Sequence, residues 1–339
     1  MFDVIVVGGG PAGLSAALTL GRVRRSTLVV DAGEPRNAPS PALHNFLSRD
    51  GAPPAELRAI AREQLGGYPS VRFRGAAVAR IERRSDGSFA VEFDDGDAAA
   101  ARRLLLATGL ADDLPPIPGL EAAWGRFALH CPYCHGYEVR DSPLAVLGAT
   151  ADRARLALHL TRLSGDVVLC THGAEPPEPG ARGVLEARGV RLRPEPISRI
   201  DVDGDEGIRI VFANGDALRR RAIFVHSTTR QRSPLAASLG CRTFDDGIVE
   251  VDDLGRTSVP GVYAAGDMAR RAGMPGPAAA IVAAAASGAI AGTAIDQELV
   301  GEEFAVGAAG RTSPTPSSTG PGALPERWSE ADHAISEAT

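Results

Sequence analysis

Short, uniformly apolar runs alternate along the chain with longer segments whose apolar residues recur every three or four positions, a pattern that predicts strands joined by helices. DVIVVG, a glycine-rich turn, a helical pattern from Gly13 into Arg24 and a second run, STLVVDAG, make one βαβ unit. After a loop rich in Pro and Asn, Ala55 to Leu65 reads as a helix. VRFRGAAVARIE and SFAVEF, with the turn SDGS between them, read as an antiparallel meander, and RRLLLATG closes the first half. Beyond PPIPG a second βα pattern, LAVLGATADRARLALHLTRL, leads into DVVLCTHG. From about Ser233 the features suit the first half again, notably DLGRTSVPGVYAAGD and an Ala-rich helix.

The expected fold is therefore α/β, with two Rossmann-like domains and the second inserted into the first. Residues 1–112 and 233–301 form the first domain and 113–232 the insertion. From 302 to 339 the chain reads as a disordered tail, because from about Gly307 onward Pro, Gly, Ser and Thr dominate it and Trp328 is the only large aromatic residue. Pro277 to Ile295 is uncharged and long enough to span a membrane, but Ala and Gly dominate it, so a buried helix is expected.

Composition narrows the chemistry. The 36 basic residues are all arginine, against 42 acidic ones, for a formal charge of −6. That balance argues against a nucleic-acid partner, and the lack of lysine excludes Schiff-base catalysis and a lysine-dependent phosphate loop. Four cysteines, two of them in one C-x-x-C, are no secreted disulfide framework, and the start FDVIVVGGG lacks the regions of a signal peptide. A cytoplasmic enzyme is expected.

In GGGPAG, Gly8, Gly10 and Gly13 follow a strand and open a helix, so a pyrophosphate could approach the helix N-terminus closely. Asp31 ends the next strand, where a carboxylate accepts hydrogen bonds from a ribose. Together with Ala107-Thr108-Gly109, TSVPGVYAAGD and the central C-x-x-C, this loop resembles the low-molecular-weight thioredoxin reductase family of FAD-dependent disulfide oxidoreductases over residues 1 to 301. The resemblance implies FAD on Gly8, Gly10, Pro11, Ala12 and Gly13, with Asp31 and Ala32 at the strand end. It further implies contributions from Val78, from Ala107, Thr108 and Gly109, and from Gly266 and Asp267, with Asn45 beside the flavin. It also implies a homodimer.

Two departures from that family redirect the function. Where the family has a second G-x-G-x-x-[AG] and an arginine cluster for NADPH, VLGATADR keeps Gly148 but places Thr150 and Arg153 in the small positions, and the next strand ends in VLCTHG. Both side chains would crowd a pyrophosphate. The redox pair lies in HCPYCHGYE, so His130 and His135 flank Cys131 and Cys134. A cysteine with a pKa of ~8.5 needs help to become a thiolate at neutral pH, and a histidine of pKa ~6.5 can take and return the proton. His130 is expected to serve as the base, with His135 as the alternative. Four adjacent residues converge poorly on one metal ion, so no metal site is expected. Cys170 and Cys241 stand alone and read as structural.

These features resemble the FAD-dependent dithiol oxidases that close disulfides in natural products such as gliotoxin and holomycin. The resemblance implies a small-molecule dithiol substrate, O2 as electron acceptor and H2O2 as by-product. Reduction by NADPH and a flavin-bound redox sensor are the competing readings. The family's Arg-Gln-Ala segment is replaced by Ala279, Ala280 and Ile281, which points to a more apolar pocket, with the loop Arg270 to Pro277 expected to shape it.

Overall fold

The structure, a computed structural model, describes residues 1–309. In chain order its strands and helices are β1 (Phe2–Val7), α1 (Pro11–Arg22), β2 (Thr27–Asp31), α2 (Pro54–Gly66), β3 (Val71–Gly75), β4 (Val78–Arg83), β5 (Phe89–Phe93) and β6 (Ala98–Leu106). There follow β7 (Leu110–Asp113), α3 (Leu120–Ala123), β8 (Ala128–Leu129), α4 (Pro132–His135), β9 (Leu144–Leu147), α5 (Ala151–Leu160), β10 (Val167–Cys170), α6 (Pro179–Ala187) and β11 (Arg191–Arg193). The remainder are β12 (Ile197–Asp203), β13 (Gly207–Phe212), β14 (Ala217–Arg220), β15 (Ala222–Phe224), β16 (Thr228–Gln231), α7 (Leu235–Ser238), β17 (Val249–Glu250), β18 (Val262–Ala264), β19 (Ala269–Arg270) and α8 (Ile281–Ala309).

Two sheets repeat one plan. The first runs β3-β2-β1-β6-β5-β4, and β6 is shared along its length: Ala98–Ala101 pairs antiparallel with β5, whereas Leu104–Leu106 pairs parallel with β18. Strand β18 thus brings the distal AAGD segment back beside the first glycine loop. The second sheet, β11-β10-β9-β15-β8, is wholly parallel, and the antiparallel sheet β12-β13-β14 accompanies it. Apart from the edge strand β11, which reads RLR, its strands are apolar and buried because both faces are covered. Leu144 and Val146 enter one core cluster, whereas Ala145, Leu147 and the fully buried Cys170 enter the other. Between the two sheets the chain crosses twice, outward through β7 and back through β16, and these crossings pair antiparallel.

Two expectations need correction. VRFRG is not part of the meander: β3 pairs parallel with β2, and β4, β5 and β6 alone make the antiparallel run. A short apolar-polar alternation fixes a strand but not its partner. Helix α8 continues to Ala309, past the tail boundary at 301, because EEFAVGAA is rich in helix-forming Ala and Glu. The rest of the expected tail, Trp328 included, lies outside the described residues. Contact density divides the chain into Met1–Glu298, which holds both sheets, and Leu299–Thr339, whose described part is helical.

No helix among the described residues is long and apolar enough to cross a membrane. The small residues of α8 have a packing role instead. A Cβ on Gly288 would lie 1.9 Å from the Ala12 carbonyl oxygen, and one on Gly292 would lie 3.1 Å from that of Ala16, so α8 crosses α1 with its backbone nearly in contact. Gly288→Ala is expected to lower stability by about 1–3 kcal/mol through overpacking. It should also reduce flavin retention, since Ala12 belongs to the first glycine loop. Urea unfolding and the flavin-to-protein absorbance ratio check both effects.

Candidate functional site

The first glycine loop is shaped to admit a ligand. Gly8 takes φ +113°, and a Cβ there would lie 2.2 Å from the Ala107 carbonyl oxygen, so the β1 turn and the ATG segment touch only because this residue is glycine. Gly10 begins α1, with nothing within 4 Å of where its Cβ would be. No side chain caps the helix and no acidic residue lies in its first turn, so its free amides and dipole are available to an anion.

These residues open onto a cavity of about 970 Å³, at the upper end of the ~300–1,000 Å³ usual for small-molecule sites. Gly8, Gly10, Pro11, Ala12, Asp31, Ala32, Asn45 and Val78 all line it. So do Ala107, Thr108, Gly109, Gly266 and Asp267. Gly13 does not; it is buried beneath the loop, where a Cβ would lie 1.9 Å from the Gly8 carbonyl oxygen. The open Gly10 face, the uncapped helix and the Asp31 carboxylate at the strand end fit an adenine dinucleotide. Asp31 is meanwhile paired with Arg62. Ala279, Ala280 and Ile281 line the cavity, as the apolar replacement implied, but Arg270–Pro277 does not. Arg270 is tied elsewhere: its guanidinium lies 3.6 Å from the Phe244 ring centroid, bonds Asp246 and donates to the Met274 carbonyl.

The same cavity reaches the redox pair. Cys131 and Cys134 are joined as a disulfide with Cα atoms 5.3 Å apart, spanning the single turn of α4, where Pro132 pre-sets the backbone. The Cys134 N–H donates to Cys131 Sγ at 3.2 Å, a bond that favours negative charge on that sulfur once it is reduced. Among the described residues no group of three or more His, Cys, Asp or Glu side chains is placed to hold a metal ion.

The two histidines have different surroundings. His130 stacks on Trp124, with ring centroids 5.6 Å apart, and borders the cavity. Burial, and then repulsion from Arg36, push its conjugate acid down to about 4. His135 Nε2 lies 2.8 Å from Ser40 Oγ, and the ring meets His44 edge-on at 6.1 Å. Burial and the neighbouring His44 hold His135 below its ordinary value too.

Sequence reasoning missed an ionic clamp beside this site. Arg36, in the loop after β2, donates to both oxygens of Asp112 on β7, at 2.7 and 2.6 Å, and to Asp267 at 3.0 Å. Ser227, just before β16, donates to Asp112 at 2.7 Å. Burial opposes the charges here, but the Arg36 hydrogen bonds hold Asp112 below its ordinary value, whereas burial leaves Asp267 above its own. Trp124, Ser40 and His44 were likewise missed: each comes from a loop with no motif of its own.

The second glycine loop begins like the first, with Gly148 at φ +113°, but ends differently. Thr150 caps α5 by accepting the Arg153 N–H, and the Arg153 stem covers Gly148, where a Cβ would lie 2.9 Å from its Cγ. At the next strand end stands His172, whose Nδ1 accepts the Ile197 N–H at 2.8 Å.

The chain belongs to the pyridine nucleotide-disulphide oxidoreductase family, whose model matches residues 2–287; it is a flavin-dependent, thioredoxin reductase-like enzyme. It is 33% identical over 324 residues to the thioredoxin reductase sirT of Leptosphaeria maculans, covering 90% of this chain and 96% of that one. It is 34% identical to the thioredoxin reductase tcpT of Claviceps purpurea over 78% of this chain and 86% of the other. Among solved structures, that of HlmI is 41% identical, with a TM-score of 0.84 over 92% of this chain and 97% of that one. An oxidoreductase from Agrobacterium tumefaciens is 36% identical, with a TM-score of 0.81 over 88% and 98%. The resemblance to thioredoxin reductases read from the sequence is borne out.

Two outcomes follow from these electrostatics. Arg36 is 17% exposed and Asp112 8%, so Arg36→Ala strands a largely buried carboxylate and should cost about 3 kcal/mol in urea unfolding. The depressed conjugate acid of His130 means that the unfolded chain takes up a proton near pH ~6.5 that the folded chain accepts only near 4. Stability is therefore lost as pH falls between those values. In His130→Gln the urea midpoint should fall less steeply across that window than in the wild type.

Proposed function

We propose that the protein is an FAD-dependent dithiol oxidase that closes a disulfide in a small-molecule dithiol, with O2 as acceptor and H2O2 as product. One observation carries this reading: the histidine-flanked Cys131–Cys134 disulfide and the expected flavin-binding residues line the same cavity, while Arg153 covers the loop a nicotinamide cofactor would need. Assembly as a homodimer belongs to the same reading.

The residues divide the work as follows. A substrate thiol loses its proton to one of the two histidines, and its sulfur bonds Cys131 Sγ as the Cys131–Cys134 bond breaks, leaving the electron pair on Cys134. The second substrate thiolate then attacks the substrate sulfur of this mixed disulfide and releases the oxidised product. Cys131 leaves as a thiolate, for which the Cys134 N–H is already in place. When bound, FAD supplies the means to take the electron pair from the dithiol form of the enzyme and hand it to O2. Gly10 and the open end of α1 would hold its pyrophosphate, with Asp31 at the ribose.

The relatives' names favour a second reading, reduction of a disulfide at the expense of NADPH. Anaerobic titration separates the two. Dithiothreitol should bleach the flavin, NADPH should not, and air should restore the colour with one H2O2 per dithiol oxidised. Rapid bleaching by NADPH would establish the reductase instead. Cys134→Ser should abolish bleaching by dithiol; a variant that still bleaches normally would break the proposed electron path.

A further inference from the structure

The loop after β2 grips the redox turn at three points. Asn45 Nδ2 donates to the Tyr133 carbonyl at 2.6 Å, the His44 ring stands edge-on to His135, and Ser40 Oγ lies 2.8 Å from His135 Nε2. The third contact has a direction that can be worked out. A serine hydroxyl has a single proton, and that of Ser40 goes to the Ala42 carbonyl at 2.7 Å. Ser40 Oγ can therefore meet His135 only as an acceptor, which requires the proton of the neutral imidazole to sit on Nε2. The lone pair is then left on Nδ1.

We propose that Ser40 is a positioning residue that fixes the tautomer of His135, so that Nδ1 is the atom that takes the proton of an incoming thiol. His135 directly follows Cys134 and lines the cavity with both cysteines, so its ring borders the volume a substrate enters. The groups around the ring are consistent with a neutral resting state. His44 faces it from the loop, itself 3.5 Å from Asp50 and 3.5 Å from Glu138, while Glu138 and a hydrogen bond with the Ala42 backbone act in the opposite sense, toward the protonated ring. Burial, the first of the influences on His135, keeps it deprotonated. Among the described residues no hydrogen bond anchors the His130 ring, which meets the face of Trp124 and feels the charges of Arg36, Asp112, His135 and His226.

The step balances within the dithiol oxidase reading on which it rests. The substrate S–H proton moves to Nδ1, the sulfur bonds Cys131 Sγ, the Cys131–Cys134 bond breaks and its electron pair stays on Cys134 Sγ. His135 is then imidazolium, and it returns to neutral by losing one of the two protons that leave the dithiol in each cycle.

The test uses the intact flavoprotein labelled with 15N-histidine, because ring nitrogen shifts report the tautomer without turnover; His135→Gln identifies the signal among the seven histidines. The wild type should show His135 protonated at Nε2, Ser40→Ala a mixture of tautomers, and Ser40→Thr the wild-type pattern. In anaerobic single-turnover reduction by dithiothreitol, Ser40→Ala should lower the limiting rate about tenfold, a part of what a positioned base supplies, with half-saturation unchanged and the rate recovered in Ser40→Thr. A wild-type His135 protonated at Nδ1, or a tautomer that Ser40→Ala leaves untouched, overturns the proposal. Failure of dithiothreitol to bleach the wild-type flavin would instead remove the oxidase reading, and the spectra would still decide the tautomer.

Discussion

The shared guanidinium of Arg36 is the contact on which the site depends. It holds Asp112, at the crossing between the two sheets, and Asp267, in the segment that β18 returns to the first glycine loop. Ser227, on the return crossing, binds the same Asp112 carboxylate. Three stretches far apart in sequence thus meet at one cation, and its loop continues directly into Ser40, His44 and Asn45. A charge pair this enclosed gives little net stability, since desolvation consumes most of the attraction. What it provides is position: any other placement of the loop leaves buried carboxylates without a partner.

The two βα units of the chain show how few side chains separate an open ligand loop from a closed one. Gly8 and Gly148 share φ +113°, and each follows a buried parallel strand. After Gly8 come residues that leave the helix N-terminus bare. After Gly148, Thr150 supplies its own oxygen to the helix and Arg153 folds over the turn. One amide of the second helix start is satisfied internally and the Arg153 stem covers the turn, so the same backbone geometry offers less to an outside anion. The Arg153 Nη1 is buried without a hydrogen bond and its pKa is lowered by burial, which marks a side chain kept in place by packing rather than by a partner.

Much of this was legible from sequence because the determinants were local. Gly8, Gly10, Gly13 and Asp31 sit in one βαβ unit whose period and turn chemistry are self-contained, and Cys131 and Cys134 need only a single helical turn to meet. The small residues of α8 correctly signalled a close helix crossing. The failures have a common physical origin. VRFRG pairs with β2 rather than with the meander because strand pairing is decided by neighbours, not by the strand's own alternation. Arg270–Pro277 was expected at the cavity, yet Arg270 is drawn to Phe244 and Asp246, contacts that no periodicity encodes. Arg36, Ser40 and Trp124 lie in irregular segments, where side-chain direction is set by tertiary contacts.

The sequence pattern HCPYCHGYE put His130 first as the expected base and His135 second, and the fold gives the two unequal surroundings. The turn of α4 separates their environments: His130 leaves β8 on the Trp124 side, whereas His135 ends the turn against the loop from Ser40 to Asn45. A conjugate acid pushed down to about 4 makes His130 a weak proton acceptor at neutral pH, and stacking fixes its plane without fixing which nitrogen bears the proton. His135 is also held neutral, but a hydroxyl whose own proton is already committed dictates its tautomer. Brønsted reasoning and hydrogen-bond accounting therefore select the same residue. The aromatic neighbour suits His130 to shape and desolvate the site in which His135 is the proposed base.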